Sequence, residues 1–220
     1  MTGSPYAAAL TLAVGSVLVC AITVLWVTST RSVIRVVAIQ GVALGLVAMI
    51  LGIHLRDAGL IGAATVVLLV KGAAIPLLLG KASGTGTVHS RESRPIVNVP
   101  ASLVASVFLI VLAFAAFRDV ARFVGTTAGA LVPVGVATLL IGFFALATRQ
   151  RPLFQMAGLL MVDNGTALVA FLCTAGVPFL VEVGVSLDVL LGVTVLMVLT
   201  MRLRTEFGDV DLDELRELHD

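Results

Sequence analysis

The sequence predicts an all-α integral membrane protein, a bundle of about seven transmembrane helices. Hydrophobic residues make up 59% of the 220 residues and charged residues only 12%, whereas about 25% of an ordinary soluble domain is charged. The mean hydropathy is +1.13. The apolar residues form continuous runs of about 20, the length that crosses a bilayer as a helix, and not the shorter alternating segments of a β-barrel.

Seven runs fit this length in chain order. We predict spans over Ala7–Thr28, Val36–Leu55, Ala58–Leu79, Ala101–Phe117, Ala128–Ala147, Leu153–Thr174 and Pro178–Met201. Pro100 suits the first turn of the fourth span, where a missing N–H costs no hydrogen bond. The opening MTGSPYAAAL has no basic segment before the first run, so we expect that run to remain as a span and not to act as a signal peptide.

The basic residues predict the orientation. Lys and Arg are retained on the cytoplasmic side of short loops. With the N-terminus outside and the C-terminus inside, nine basic residues outside the spans face the cytoplasm: Arg31, Arg35, Lys81, Arg91, Arg94, Arg149, Arg151, Arg202 and Arg204. Only Arg56, Arg118 and Arg122 face outward. We therefore predict an N-out, C-in topology.

The composition divides the chain into four parts. Residues 1–80 form an N-terminal three-helix unit, and residues 81–99, rich in Gly, Ser and Thr, form a cytoplasmic linker. Residues 100–205 form a C-terminal four-helix unit. Residues 206–220 form an acidic cytoplasmic tail, in which Asp211 and Glu214 have the spacing of a capping box.

Composition also excludes several functions. A cytosolic enzyme or a secreted domain would not carry this apolar excess. The 14 Lys and Arg balance 13 Asp and Glu, which leaves no basic surplus for a nucleic acid. Cys20 and Cys173 both lie in apolar runs, so we interpret them as small hydrophobic residues. We expect no cofactor, no metal site and no catalytic residue.

The informative residues are ionisable groups inside the predicted spans: Lys71, Asp163, Glu182 and Asp188. Each costs at least about 2.5 kcal/mol at the centre of a lone helix, so such groups face the bundle interior and pair or conduct ions. Lys71 is followed by Gly72, and Pro76 removes the hydrogen bond that its N–H would make to the Gly72 carbonyl. This pattern predicts an irregular helix with a charge at the irregularity.

Neutral polar groups accompany these charges. Asn164 follows Asp163 directly, Thr166 is close by, and Gln40 is near the middle of the second span. Glu182 and Asp188 are six residues apart, about 120° around a helix, so we expect them to address different neighbours. We interpret Lys71, Asp163, Asn164, Glu182, Asp188 and Gln40 as parts of a proton or ion path. The alternative is that Lys71 and one carboxylate only hold helices together.

Three segments resemble component E of hydrogenase 4, a membrane subunit of formate-hydrogenlyase and group 4 nickel–iron hydrogenase complexes. They are LLMVDNGTALVAF in the sixth span, VEVGVSLDVLLGV in the seventh, and the tail RTEFGDVDLDELRELHD. The third-span motif VKGAAIP is also similar to that family. Asp163 occupies the place where the family usually has glutamate, so the carboxylate reaches one methylene less far.

The last three spans are further similar to the K subunit of respiratory complex I and to the C subunit of multisubunit cation/proton antiporters. The helices of those subunits that carry intramembrane carboxylates match the ones with Asp163 and Glu182. The resemblance implies a non-catalytic membrane-arm subunit in the plasma membrane. Its partners would be antiporter-like subunits and a peripheral redox arm of hydrogenase or formate dehydrogenase type. The alternatives are a subunit of a cation/proton antiporter without a redox partner, or a structural scaffold.

Overall fold

A computed structural model of the chain describes residues 4–84 and 97–174. Their secondary structure is helical, as predicted. In chain order the elements are α1 (Pro5–Trp26), α2 (Thr30–Leu55), α3 (Ala58–Leu69), a π-helical turn (Val70–Ala74), α4 (Ile75–Gly84), α5 (Val99–Val124), a 3-10 turn (Gly129–Leu131), α6 (Val132–Thr148) and α7 (Pro152–Thr174). The elements α3, the π turn and α4 follow one another without a break.

Six helices in the described part are long and apolar enough to cross a membrane. They correspond to the first six predicted spans. The fourth is longer than predicted, Val99–Phe123 instead of Ala101–Phe117, because the helix continues through exposed charged residues that hydropathy alone excludes. The predicted seventh span and the acidic tail lie outside the described residues.

Polar side chains fix the helix ends. Asn98 Oδ1 accepts a hydrogen bond from the Ala101 N–H at 2.9 Å, which satisfies one donor at the start of α5. Between α2 and α3 the chain turns within two residues: Arg56 is left-handed, with φ 55°, and Asp57 Oδ1 accepts from the Gly59 N–H at 2.8 Å. This tight turn places α2 and α3 side by side.

Glycines set how closely the helices approach. A methyl group on Gly45 of α2 would lie 2.5 Å from a Leu68 side-chain atom in α3. In the α6–α7 pair, a methyl group on Gly142 would lie 2.6 Å from the Val162 backbone nitrogen, and one on Gly165 would lie 2.5 Å from that of Leu139. Lipid supplies no hydrophobic drive between helices, so close packing at small residues provides the attraction.

The buried apolar side chains form two clusters, one towards each end of the bundle. The first cluster includes Leu10, Val14, Val47, Leu51, Ala64 and Phe171. The second includes Leu25, Val33, Leu79, Ala145, Phe154 and Met161. Between them each central helix crosses a short interval, residues 17–21, 37–43, 67–75, 137–141 and 161–167. The predicted polar residues Gln40, Lys71, Asp163 and Asn164 all fall within these intervals.

Candidate functional site: a buried charge pair at the bundle centre

The π turn positions Lys71. The Ile75 N–H donates to the Val70 carbonyl, five residues back, and Pro76 has no N–H to offer. The carbonyl of Lys71 therefore has no helical donor either four or five residues ahead. Gly41 of α2 packs directly against it, since a methyl group there would lie 2.6 Å from the Lys71 carbonyl oxygen. The predicted irregularity of the helix is confirmed. It leaves the Lys71 carbonyl, as well as the Gly72 carbonyl, without its usual helical donor.

The side chain of Lys71 forms an ion pair with Asp163 of α7. The distance from Lys71 Nζ to Asp163 Oδ2 is 2.6 Å, and the two side chains are 2% and 9% exposed. Beyond this contact, neither Lys71 Nζ nor Asp163 Oδ2 has a hydrogen-bond partner among the described residues. The two charges are thus in contact and almost fully buried, with no further hydrogen bonds to the contacting atoms from the described residues. In such a site the cost of burying two charges competes with their attraction.

An amide pair is formed by Asn164, which follows Asp163 in α7, and Gln40 of α2. Asn164 Nδ2 donates to Gln40 Oε1 at 3.1 Å, and Gln40 Nε2 donates to the Val17 carbonyl of α1 at 3.1 Å. This chain of hydrogen bonds connects α7 through α2 to α1. Asn164 Oδ1 is buried and has no hydrogen-bond partner among the described residues. Such a group is uncommon in folded proteins and calls for an explanation.

The structure brings the predicted site residues together in two pairs, Lys71 with Asp163 and Gln40 with Asn164. Thr166 does not join them: its side chain is exposed, and its Oγ1 donates back to the Val162 carbonyl at 2.9 Å. Glu182 and Asp188 lie outside the described residues, so their predicted roles stay predictions. The amide pair cannot titrate, so Lys71 and Asp163 are the ionisable side chains among the four.

Arg149 is a buried charge that sequence reasoning assigned only to a cytoplasmic loop. Its side chain is 1% exposed, and Nη2 donates to the Leu25 carbonyl at the end of α1. The guanidinium carbon lies 5.9 Å from the centre of the Phe154 ring. The partner carbonyl is 124 residues away in the sequence, and backbone acceptors leave no trace in residue type, so no sequence signal could have found this contact.

The described residues contain no group of three or more His, Cys, Asp or Glu side chains that could hold a metal ion. The site brings an ammonium and a carboxylate into contact, and the next residue in the sequence, Asn164, carries a buried amide oxygen without a hydrogen-bond partner among the described residues.

Comparison with known proteins gives one informative result. No family model matches the chain, and no solved structure matches it. Over 221 aligned residues the chain is 41% identical to the uncharacterized protein Rv0085 of Mycobacterium tuberculosis (strain ATCC 25618 / H37Rv), and the match covers 100% of both chains. The chain belongs to the family of Rv0085. All six described spans and the Lys71–Asp163 pair lie within the length shared with Rv0085.

Proposed function

We propose that the chain is a non-catalytic membrane-arm subunit of a complex I-related hydrogenase or formate-linked oxidoreductase complex. In this proposal the Lys71–Asp163 pair takes part in translocating protons or Na⁺, driven by electron transfer in a separate redox arm. The observation that carries the proposal is the ion pair itself, two contacting charges at the middle of a membrane bundle. The sequence resemblance to hydrogenase-4 component E supports the kind of complex.

The two apolar clusters argue for sideways movement of ions. They flank the polar residues towards both ends of the bundle, so dry side chains separate the pair from each membrane surface. Asp163 is the more exposed member of the pair, 9% against 2% for Lys71. Apolar side chains separate the charge pair from both membrane surfaces, and its carboxylate is the more exposed member. This arrangement suits ion exchange with a neighbouring membrane subunit.

The proposal includes seven spans, an N-out and C-in orientation, and residence in the plasma membrane. One observation supports the orientation. Arg149 contacts the end of α1, which brings it to the same end of the bundle as the exposed Arg31 and Arg35 at the start of α2. By the sequence count this is the more basic end of the bundle, and the retention of Lys and Arg in the cytoplasm favours it as the inner end.

A scaffold is the second candidate function, and the amide pair favours it. Gln40 and Asn164 do not titrate, yet they connect three helices through buried hydrogen bonds. If the ion pair served the same purpose, removing one partner would leave an uncompensated buried charge, at a cost of about 3–5 kcal/mol. The subunit would then be lost from its complex.

The test is to compare Asp163→Asn, Asp163→Glu and Lys71→Met in native membranes. Subunit content and electron-transfer-driven ion translocation are measured on the same samples. Asp163→Asn keeps size and polarity but cannot titrate, so we expect near-normal content and a loss of coupling, with at least partial recovery in Asp163→Glu. Asp119→Asn makes the same chemical change on a carboxylate that is 86% exposed and should behave as the wild type.

Two outcomes would contradict the proposal. Loss of the subunit in both Asp163→Asn and Lys71→Met, with normal coupling by what remains, favours the scaffold. Normal content and normal coupling in both variants removes the pair from ion movement altogether. Co-purification with wild-type chain then tests the partners: a hydrogenase large subunit supports the redox assignment, and antiporter subunits without any redox protein favour the antiporter alternative.

A further inference from the structure

A second feature, far from the charge pair, lies where α5 ends and α6 begins. An open groove of about 340 Å³ separates the last turns of α5 from the 3-10 turn and the start of α6. Its lining residues are Phe114, Arg118, Ala121, Arg122, Ala130 and Pro133. The four from α5 recur at helical spacing, so they form a single face of that helix. Most of this lining is apolar, with two guanidinium groups at the end nearest the membrane surface.

The charge at the groove is positive. Arg118 makes no hydrogen bond or ion pair with any residue in ranges 4–84 and 97–174. Arg122 Nη1 lies 3.4 Å from Asp119 Oδ1, with both side chains largely exposed, so the three residues leave one net positive charge. The start of α6 adds the partial positive charge of a helix N-terminus, and its first turn contains no acidic residue.

The depth of the groove matches a lipid. The span of α5 is Val99–Phe123, so Arg118 and Arg122 occupy its last turns, at the level of the phosphates of a bilayer. Phe114 lies about one turn deeper, in the acyl region. The surrounding surface of α5 is apolar and exposed, with Phe123 at 93% and Val111 at 61%. A lipid phosphate reaches this site within the membrane plane, and the chain's own acidic tail is predicted to lie on the opposite side.

We infer that this groove binds an anionic phospholipid. The phosphate contacts the guanidinium groups of Arg118 and Arg122 through charge-assisted hydrogen bonds, and the first part of an acyl chain packs against Phe114, Ala121 and Pro133. The site also explains why two basic residues occupy a membrane side where such residues are scarce. It does not depend on the proposed function of the charge pair.

The test uses full-length chain extracted from membranes in mild detergent. Retention of phosphatidylglycerol and phosphatidylcholine with identical acyl chains is measured by native mass spectrometry, with inorganic phosphate as a separate competitor. Removing both guanidinium groups takes away the charge-assisted hydrogen bonds to the lipid phosphate. We therefore expect Arg118→Gln/Arg122→Gln to weaken phosphatidylglycerol binding about tenfold or more, which is about 1.4 kcal/mol, and to abolish the preference over phosphatidylcholine.

Two further variants make the result specific. Arg31→Gln/Arg35→Gln removes the same charge at the same spacing from exposed positions of α2 and should leave the preference intact. Ala121→Leu fills the groove while keeping both guanidinium groups, and should weaken lipid retention. Equal phosphatidylglycerol retention by wild type and Arg118→Gln/Arg122→Gln would overturn the inference. Full displacement of the lipid by inorganic phosphate at a concentration equal to that of the lipid would also overturn it. So would retention of an acidic protein in place of the lipid.

Discussion

Arg149 caps the C-terminal end of α1 with a side-chain hydrogen bond. The carbonyls in the last turn of a helix have no partner within that helix, and Leu25 lies in this turn of α1. The buried guanidinium donates to its carbonyl and supplies the positive charge that a helix C-terminus favours. Because Arg149 directly follows α6, this contact also holds the ends of α1 and α6 together.

Replacing Arg149 tests this role. Arg149→Met leaves a buried carbonyl without its donor, which costs about 1–3 kcal/mol, so we expect a lower thermal unfolding midpoint for the full-length chain. Arg149→Lys keeps the charge but loses the planar fork and should recover only part of that loss. Arg35→Met changes an exposed arginine and serves as the control. Equal midpoints for Arg149→Met and Arg35→Met would contradict the assignment.

At the residue scale, the sequence predicts the polar residues of the candidate site better than it predicts their contact partners. Lys71 and Asp163 stand out because charge is rare in apolar helices, and Gln40 and Asn164 stand out next to them. Their pairing depends on how α2, the π turn and α7 are rotated, which composition does not encode. Arg149 was missed for the opposite reason: arginine just beyond a span is the ordinary signature of a cytoplasmic loop.

Between elements, the π turn and α2 form one unit. The turn leaves the carbonyl of Lys71 without a helical donor, and Gly41 allows α2 to approach that carbonyl. Gly45 and Gly52 continue the close approach along α3. A π turn inserts a residue into the helix and changes the direction of the side chains that follow, so this packing helps to set the direction of the Lys71 side chain.

Gly41→Ala should disturb this unit. The added methyl group would lie 2.6 Å from the Lys71 carbonyl oxygen, and a backbone atom cannot move aside cheaply. We expect a loss of stability of about 1–3 kcal/mol, the usual cost of overpacking, measured by thermal unfolding of the full-length chain. Gly15→Ala in α1 is the matched control, since nothing lies within 4 Å of its added methyl group. Equal effects of the two changes would remove Gly41 from the account.

The helices themselves were predictable because membrane spans need a minimum apolar length. Pro76 and Gly72 also predict an irregular third span. The form of the irregularity was not predictable, because a kink and a π turn meet the same local rule for proline. The choice between them depends on α2, where Gly41 has no side chain and leaves room for the Lys71 carbonyl of the π turn.

For the whole molecule, the arrangement that matters is a polar layer between two apolar clusters. It separates the Lys71–Asp163 pair from both ends of the bundle, so in the proposed function the partners for ion exchange are neighbouring subunits. Periodicity predicts that such residues face inward. Periodicity does not predict that these residues lie at the same depth along the bundle, because their depth depends on where each helix begins and ends.

The most direct test of the account is the protonation of Asp163 during turnover. Infrared difference spectra of native membranes containing the chain and its proposed redox partner, reduced minus oxidised, report carboxyl groups that gain or lose a proton. The account predicts a carboxylic acid band that is present in the wild type and in Asp119→Asn but missing in Asp163→Asn. If the Asp163→Asn spectrum keeps every carboxyl band of the wild type, Asp163 does not carry a proton and the buried pair is structural.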